Sequence, residues 1–384
     1  MSANGYEVVR YRPEFAEAVA RLHSVHMPTG GSDASARYLT WKYETNPYIG
    51  EPLIYLALHE GEPVAMRGFF GSCWEAGESS IIVPCAADLV VHPAHQNRGL
   101  IGKIMQRAFA DLRDMDYAFV FSLSGGDVAA MSARALGFKP IARMELLQRL
   151  QRLSLAFPLW QLRKVARYFA NYEALRRRAR GLLALSHTVL GKVHPELGHF
   201  DAAVQAGRLG EGIEGGHEPQ VDAMADVIAR VAQGDGIRHR RDGAYLRWRY
   251  ASPARNFRFL YSRGADLDGY LALSVIQGDA VPAIRIVDWE GTTPEVKRKL
   301  LKAAILVGRF RQVSTWKFGM DESDLEILHD CGLRLQSAPA GVRGQGVTAL
   351  VKALGDGAKA PTLGDKALLD PQSWNYRMIY SDLG

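Results

Sequence analysis

A short pattern that occurs twice constrains the fold of this chain more than any other feature of its sequence. Residues 38–43 read YLTWKY, and residues 245–250, which lie 207 positions later, read YLRWRY. A proline follows each copy, Pro47 and Pro253, and each copy precedes a predicted hairpin with a glycine near its turn. Such a match in equivalent contexts predicts a duplicated domain, and a chain of 384 residues is long enough for two or three domains.

Strand and helix patterns alternate over the first 150 residues. Apolar residues at helical spacing predict helices over 14–27, 36–43, 100–115 and 128–136. Apolar and β-branched runs predict strands over 6–11, 53–58, 63–70, 81–91, 118–123 and 138–147. The order β-α-α-β-β-β-α-β-α-β returns in the second half, with strands over 283–289 and 313–318 and helices over 295–310 and 323–329. The sequence therefore predicts a mixed α/β (α+β) fold class for both halves.

Composition divides the chain into three parts. We predict an N-terminal domain over 1–150, a basic helical insert with a linker over 151–220, and a C-terminal domain over 221–384. Five glycines and a proline between residues 205 and 219 predict the linker. The tail over 373–382 is too aromatic for a disordered end, so we expect it to dock, most simply on the second domain.

The composition also excludes several classes of protein. Hydrophobic residues make up 47% and charged residues 23%, which is typical of a globular chain. Three widely spaced cysteines allow neither a disulfide framework nor a zinc-binding pair, so we expect a reducing cytoplasm. The sequence has no apolar stretch long enough for a membrane-spanning helix and no signal-peptide pattern at its start.

The net charge of +6 comes from one segment. Residues 151–194 contain nine Lys or Arg and one acid, so the rest of the chain is slightly acidic. Aromatic residues alternate with arginines over 155–190, a pattern that suits a helix covering a domain junction. Peripheral contact with an anionic membrane is the alternative for this segment. Nucleic-acid binding is not expected, because no DNA or RNA module is visible.

One window has the pattern of a binding site. Residues 88–103 read DLVVHPAHQNRGLIGK, in which a strand leads into a polar turn and then into a helix. The first backbone N–H groups of a helix have no intrahelical partner and lie at the positive end of its dipole. Gly99 and Gly102 let a ligand approach the backbone closely. The window therefore predicts a pyrophosphate cradle.

This window resembles the signature [QR]-x-x-G-x-[GA] of the GNAT superfamily of acyl-CoA-dependent N-acyltransferases. Residues 96–101 read QNRGLI, so the last position departs from the signature, and Gly102 follows at once. The sequence VHP over 91–93 and ALGF over 135–138 also resemble the family. The resemblance covers the first 150 residues well and the C-terminal part weakly. It implies tandem GNAT folds, each a mixed and mostly antiparallel sheet flanked by helices.

The resemblance assigns binding roles and implies acetyl-CoA, or another acyl-CoA, as the donor, with no metal. Backbone groups of one strand would bind the pantetheine arm like an added strand: Leu89, Val90 and Val91. The following loop and helix start would hold the pyrophosphate: Gln96, Asn97, Arg98, Gly99, Leu100, Ile101, Gly102 and Lys103. The Lys103 side chain would either pair with a phosphate or remain solvated. His92 and His95 are expected on the phosphate side or exposed.

Acyl transfer to an amine requires removal of the amine proton and stabilisation of the leaving thiolate. Asp88 interrupts an apolar strand where family bases often lie, and burial there is expected to raise its pKa and to suit it to base work. The alternative is a hydrogen-bonded structural carboxylate. The tyrosine that often serves the family as the acid is replaced here by Ala133. Ser132, a water or a tyrosine from elsewhere is then the acid, or the thiolate leaves without one.

The second half lacks the cradle. The sequence RIVDWEG over 285–291 runs into TTPE without the glycine signature, and Glu290 and Glu295 would repel a pyrophosphate. Asp288 lies on the long strand like Asp88, but we expect this half to bind no cofactor. Trp41 and Trp248 of the repeat are expected to pack structurally, with contact to the acceptor as the alternative.

These patterns together predict an N-acetyltransferase that transfers an acetyl group directly to a primary amine of a small molecule. The two-domain layout resembles bacterial GNAT proteins of surface-polysaccharide pathways, which implies an amino-sugar acceptor. One alternative is a non-catalytic CoA-binding regulatory protein with a GNAT fold. The other is a membrane-associated acyltransferase that uses a lipid-like substrate. The sequence does not determine the acyl length or the oligomeric state.

Overall fold

The computed structural model describes residues 5–25, 31–150, 196–231, 234–275, 283–308, 312–336, 347–355 and 361–381. The predicted helices of the basic segment 155–190 lie outside the described residues. Among the described residues, no helix is both long enough and apolar enough to cross a membrane.

The first sheet is built mainly from the N-terminal half. Its strands are β1 (Tyr6–Arg10), β2 (Leu53–His59), β3 (Glu62–Ala76), β4 (Ser79–Val91), β5 (Phe119–Gly126) and β6 (Lys139–Met144). A strand of the C-terminal part, Val347–Ala353, lies between β5 and β6. The pairings are antiparallel except that of β4 with β5, which is parallel.

The second sheet repeats this arrangement. Its strands are β7 (Leu146–Leu150), β8 (Ile213–Gly216), β10 (Asn256–Arg263), β11 (Leu267–Val275), β12 (Ala283–Gly291), β13 (Gln312–Trp316) and β14 (Arg334–Leu335), while β9 (Arg238–His239) pairs with β3 of the first sheet. The strand Val347–Ala353 of the first sheet is β15, and a small hairpin is formed by β16 (Thr362–Leu363) and β17 (Lys366–Ala367). Strands β12 and β13 are parallel like β4 and β5, and the other neighbours are antiparallel.

The two halves exchange strands. The single strand predicted over 138–147 breaks at Glu145, whose carbonyl accepts a hydrogen bond from the backbone N–H of Lys317. Beyond that residue β7 pairs with β13 of the second sheet, and β15 in return completes the first sheet. The predicted domains 1–150 and 221–384 therefore each contribute a strand to the other's sheet.

The glycine-rich stretch over 205–219 is not a plain linker, because it contains the edge strand β8. A Cβ built on Gly215 would lie 2.8 Å from side-chain atoms of Leu209 and Val204. This glycine therefore permits close packing of β8 under the preceding helix. Composition alone cannot distinguish this use of glycine from chain flexibility.

Helices pack against both sheets. They are α1 (Ala16–Ser24), α2 (Gly31–Leu39), α3 (Leu100–Asp114), α4 (Asp127–Ala135), α5 (Glu196–Gln205), α6 (Val221–Arg230), α7 (Gly243–Tyr250), α8 (Pro294–Gly308) and α9 (Glu322–Asp330). A π-helical turn, Thr40–Glu44, continues α2. Ile104, Ala108 and Leu112 of α3 repeat every four residues and pack on the outer face of the first sheet.

The inner faces of the two sheets share one hydrophobic core. Met66, Phe70 and Trp74 of β3 belong to it together with Phe259 of β10 and Tyr270 of β11. The rings of Trp41 and Trp248 stack across it with centroids 5.1 Å apart, which confirms the expected packing role of this pair. The halves are thus joined through buried apolar surface.

Candidate active site

A cleft opens where β4 and β5 separate. The two strands are parallel and pair at Cys85 and Phe121. Beyond this pair they diverge. The cleft between them has a volume of ≈ 180 Å³ and is also lined by Ile101 of α3 and by Ser132 and Ala133 of α4. On the side of β5, the backbone of β4 past Cys85 therefore borders the cleft, while its other edge stays paired with β3.

A β-bulge in β4 lies at the cleft. Val90 pairs with Met66 and Ala87 pairs with Gly68, so Asp88 and Leu89 both lie opposite a single residue of β3. Asp88 has a φ of 50°, a left-handed conformation that is uncommon for residues other than glycine. A bulge bends its strand and leaves the extra residue outside the regular ladder.

The Asp88 carboxylate is held by side chains of the first YLTWKY repeat. The Tyr43 hydroxyl donates to Oδ2 at 2.5 Å, and the Lys42 ammonium lies 2.9 Å from the same oxygen. The Tyr38 hydroxyl donates to Oδ1 at 3.4 Å, and Nε2 of His23 lies 3.8 Å from that atom. The repeat thus supplies a buried cation and two hydroxyl donors to one carboxylate.

Two features of the chain bring these partners to Asp88. The π-helical turn buries Lys42 and Tyr43 in succession, and the backbone N–H of Thr45 closes it on the Thr40 carbonyl. A Cβ built on Gly68 would lie 2.0 Å from the Tyr43 hydroxyl, so only glycine leaves room for that oxygen beside the bulge.

The expected rise in the pKa of Asp88 is wrong. Burial by itself raises the pKa of this carboxyl, but the Lys42 ammonium and hydrogen bonding with His23 and Tyr43 outweigh burial and hold the pKa well below its usual range. A carboxylate stabilised in this way is a weak proton acceptor at neutral pH. The base role of Asp88 stays a prediction, and its contacts are those of a structural carboxylate.

The start of α3 has the geometry of an anion cradle. Asn97 and Gly99 have φ values of 60° and 68°, and Gly99 is the N-cap without a side-chain hydrogen bond to cap the helix. The backbone N–H groups of Leu100, Ile101 and Gly102 are the first three of the helix and have no intrahelical acceptor. Alternating conformations of this kind point successive N–H groups into one concavity.

The surroundings of the cradle also fit a pyrophosphate. A Cβ built on Gly99 or Gly102 would meet no atom within 4 Å, so the outer side of the turn is open. No acidic side chain lies in the first turn of α3. Two of the backbone N–H groups predicted to hold the pyrophosphate already donate hydrogen bonds within the chain. The N–H of Gln96 donates to the Pro93 carbonyl, and that of Lys103 donates to the Gly99 carbonyl.

Other predicted site residues have buried side chains or side chains that contact their own loop. The side chains of Val90 and Leu100 are buried in the cores on opposite faces of the first sheet. The Gln96 amide donates to the carbonyl of Val91 at the end of β4, and the Arg98 guanidinium donates to the carbonyl of Ala94, each at 3.5 Å. The side chain of Leu89 lines the cleft, and Val91 pairs with Ala65 of β3.

The two histidines of the turn brace the loop. His92 is exposed and accepts a hydrogen bond from the Ala94 N–H at 3.3 Å. Nδ1 of His95 lies 2.9 Å from the Tyr6 hydroxyl, which ties the loop to β1. Desolvation lowers the pKa of His95, and the positive charges of the neighbouring His59 and Arg98 lower it further. Among the described residues, no cluster of three or more His, Cys, Asp or Glu side chains is arranged to hold a metal ion.

Comparison with solved structures identifies the fold. The chain is similar to a probable N-acyltransferase of Enterococcus faecalis, with a TM-score of 0.56 and 10% identity over 91% of this chain and 72% of that one. It is similar to a GCN5-related N-acetyltransferase of Anabaena variabilis, with a TM-score of 0.52 and 10% identity over 91% and 73% of the chains. A tandem GNAT protein from the clavulanic acid biosynthesis pathway gives 0.50 and 12% over 92% and 99%.

The chain has a tandem GNAT fold. No protein-family model matches the sequence, and no curated protein matches it. At 10% to 12% identity the likeness to solved structures concerns the fold, and the chemistry must be argued from this chain's own residues.

The cleft of the first GNAT fold has Ala133 where the family often has the tyrosine that acts as the acid. Ser132 and Ala133 both lie on α4 and line the cleft together with Leu89. Ala133 provides no hydroxyl where the family tyrosine is expected. Among the described residues that line the cleft, none is a tyrosine.

Sequence reasoning missed Arg67, which also lines this cleft. It lies on β3 opposite the bulge, between Met66 and Gly68. A charged residue inside the apolar run over 63–70 was the available signal. The sequence alone does not show on which face of the sheet this side chain lies or which residues surround it.

The corresponding cleft of the second GNAT fold is filled by the chain's own C-terminal residues. Strands β12 and β13 pair over three residues and then separate. The backbone N–H of Tyr376 donates to the Gly319 carbonyl at 3.1 Å beyond β13. The Arg377 guanidinium lies 3.5 Å from Glu290 of β12 and 3.1 Å from Asp324 of α9. The predicted docking of the tail therefore occurs in this cleft.

The helix start of the second half also differs from the cradle. The N–H of Val296 in α8 is capped by the Thr293 hydroxyl at 3.3 Å. Glu295 occupies the first turn. A helix start with a side-chain cap and an acidic first turn does not favour a polyanion.

Proposed function

We propose that this protein transfers an acetyl group from acetyl-CoA directly to the primary amine of a small molecule. The observation that supports this function best is the cleft between β4 and β5, which lies beside the open, uncapped start of α3. The second half, whose cleft is filled by the tail, would act as a structural partner.

Three parts of the chain would bind the donor. The amides of Leu100, Ile101 and Gly102 would hold the pyrophosphate at the positive end of α3. The free edge of β4 between Ala86 and Val91 would bond the extended arm as a neighbouring strand does. Leu89 would cover the arm within the cleft. Acetyl-CoA supplies the acyl group and a thiolate leaving group.

The residues around Asp88 would position this machinery. Asp88 is ionised and held by Lys42 and Tyr43, so its first role in the proposal is to fix the bulge at the point where the strands separate. The amine proton would then pass to water. An amino sugar is the first acceptor to test, because the two-domain layout resembles proteins of surface-polysaccharide pathways.

Turnover tests the proposal. The purified protein is incubated with acetyl-CoA and a panel of amino sugars, polyamines and amino acids. Released CoA thiol is measured together with the mass of each acceptor, which should rise by one acetyl group. A protein that binds acetyl-CoA but acetylates no amine of a broad panel would contradict the enzymatic role.

A non-catalytic CoA-binding protein is the second candidate, and Ala133 is the observation that favours it. Loss of the acid removes one group that lowers the barrier in the family, and a binding protein has no need of it. Tight binding of acetyl-CoA without turnover is the result that this candidate predicts.

A further inference from the structure

A cluster of histidines lies beside the cradle of the first half. The rings of His95 and His59 have centroids 5.0 Å apart, and those of His95 and His92 are 5.8 Å apart. His92 and His95 belong to the turn that leads from β4 towards α3, whereas His59 is the last residue of β2. Histidine changes its charge near neutral pH, so this cluster can respond to the charge of a ligand at the cradle.

Tyr6 fixes the orientation of His95. Its hydroxyl lies 2.9 Å from Nδ1 of His95, and its ring lies 4.9 Å from that of His59, with which Tyr6 pairs across β1 and β2. Tyr6 is only 6% exposed, so packing holds its ring in place. Among the residues that the structure describes, none bonds Nε2 of His95. That nitrogen therefore remains for solvent or a ligand.

The same tyrosine links the histidines to the start of α3. The Arg98 guanidinium lies 6.0 Å from the centre of the Tyr6 ring. Arg98 directly precedes Gly99, the N-cap of α3, and Tyr6 belongs to the apolar cluster that contains Leu100. Tyr6 thus contacts both His95 and Arg98, the two ends of the short segment that leads into the cradle.

The groups that face His95 are mainly basic. Desolvation lowers the pKa of His95 most, and three neighbouring basic groups lower it further: His59, Arg98 and His92. Strand β1 contributes the Tyr6 hydroxyl, and the first turn of α3 contains no acid. Glu62 lies opposite His59 in the β2–β3 hairpin, and its carboxylate lies 4.0 Å from Arg21 of α1. These surroundings disfavour the charged form of His95 until an anion approaches.

We propose that protonated His95 binds the phosphates of the donor together with the amides of α3, so that donor binding takes up a proton; this inference rests on the proposed function. A pyrophosphate held by Leu100, Ile101 and Gly102 brings negative charge to the end of the turn. This charge favours the imidazolium form of His95 and raises its pKa in the complex. The proton comes from solvent, and no covalent bond between heavier atoms changes.

The direction of the pH dependence follows from this coupling. The pKa of His95 is higher in the complex than in the free protein. Affinity for the donor therefore rises as the pH falls through the pKa of the complex, and it levels off below the pKa of the free protein. A difference of about one unit between the two would strengthen binding by up to about tenfold.

Calorimetric titration of acetyl-CoA in two buffers of different ionisation enthalpy measures the proton uptake. The wild type is compared with His95→Asn at about pH 7 and constant salt. The 3′-phosphate of the donor also titrates, near pH 6, but it contributes equally to both proteins. The wild type should take up about half a proton more than the variant, and its affinity should vary more between about pH 8 and about pH 6.

A matched variant controls for the loss of any histidine. His329→Asn replaces an exposed histidine on α9, in the second half, and should take up as many protons as the wild type. Equal uptake by the wild type and His95→Asn would overturn the inference.

A second donor keeps the inference testable on the wild type alone, even if His95→Asn does not fold. Acetyl-dephospho-CoA lacks the 3′-phosphate, and its pyrophosphate has no proton that titrates near neutral pH, so any uptake comes from the protein. Binding of this donor without proton uptake overturns the role of His95 and leaves the proposed function standing. Absence of acetyl-CoA binding to the wild type overturns the proposed function itself, and the inference with it.

Discussion

The indole nitrogen of Trp41 donates a hydrogen bond to the backbone carbonyl of Trp248 at 2.6 Å, and the indole nitrogen of Trp248 donates to the carbonyl of Trp41 at 2.8 Å. The two copies of the repeated motif therefore bind each other reciprocally, as the two sides of a two-fold symmetric interface do. The same motif that reveals the duplication in the sequence joins the two halves in the structure.

We expect each half of this contact to matter for stability. Trp41→Phe keeps most of the stacked ring but leaves the buried carbonyl of Trp248 without its donor, which should lower the free energy of unfolding by about 1–3 kcal/mol. Trp248→Phe is the matched variant and should cost less, because the Thr45 hydroxyl still donates to the Trp41 carbonyl at 2.8 Å. Urea unfolding measures both, and an unchanged midpoint for both variants would contradict the account.

The pair of Lys42 and Asp88 makes a prediction about pH. The folded-state pKa of Asp88 is depressed, so its stabilisation is present above the unfolded pKa of about 3.9 and is lost as the pH falls below it. The wild type should therefore lose stability more steeply than Asp88→Asn as the pH falls from about 4 to about 2. Parallel curves of unfolding free energy against pH for the two proteins would show that Asp88 is not stabilised in its charged form.

Kinetics of Asp88→Asn separate a positioning role from a base. A positioning residue changes the rate without titrating, so the acid limb of the pH–rate profile should be the same in wild type and variant. Loss of that limb together with a fall in turnover of about 10²-fold or more would restore Asp88 as the general base. Calorimetric titration with acetyl-CoA provides the control, because affinity should be retained in either case.

The tail that fills the second cleft makes a further prediction. Arg377→Met removes one partner from each of two buried carboxylates, Glu290 and Asp324. Arg241 still pairs with Glu290 at 2.6 Å and Lys297 with Asp324 at 2.7 Å, so the free energy of unfolding should fall by about 1–3 kcal/mol. The stoichiometry of acetyl-CoA binding should remain a single equivalent per chain, because Glu295 and the Thr293 cap still disfavour a pyrophosphate there. Binding of a second equivalent would contradict this view of the second half.

Local sequence patterns predict the element order well, and they also indicate the glycine-containing turn before α3. The glycines of the turn and the apolar period of α3 act over a few residues, so they are visible in the sequence. The exchange of β7 and β15 is not visible, because pairing between distant strands depends on contacts that no local pattern encodes. The strand β3 also extends to Ala76, well beyond its prediction, because β4 and β9 supply partners for its far end.

The candidate site shows the same limit. The position of Asp88 at the cleft follows from the motif, but the direction of its pKa shift depends on Lys42 and Tyr43, which lie about 45 residues earlier in the chain. Burial alone predicts a rise, and the buried cation reverses it. Arg67 was missed for a related reason, because only the fold places its side chain in the cleft.

Calorimetric titration of acetyl-CoA tests the central claim, that the turn over 97–102 is an acyl-CoA cradle. Gly99→Glu places a carboxylate in the open turn, and Gly77→Glu is its matched control. Both glycines have positive φ, 68° and 56°, and open space around them, but Gly77 lies at the other end of β4. We predict micromolar binding to the wild type and to Gly77→Glu, and none to Gly99→Glu. Failure of the wild type to bind, or equal binding by Gly99→Glu, would contradict the account.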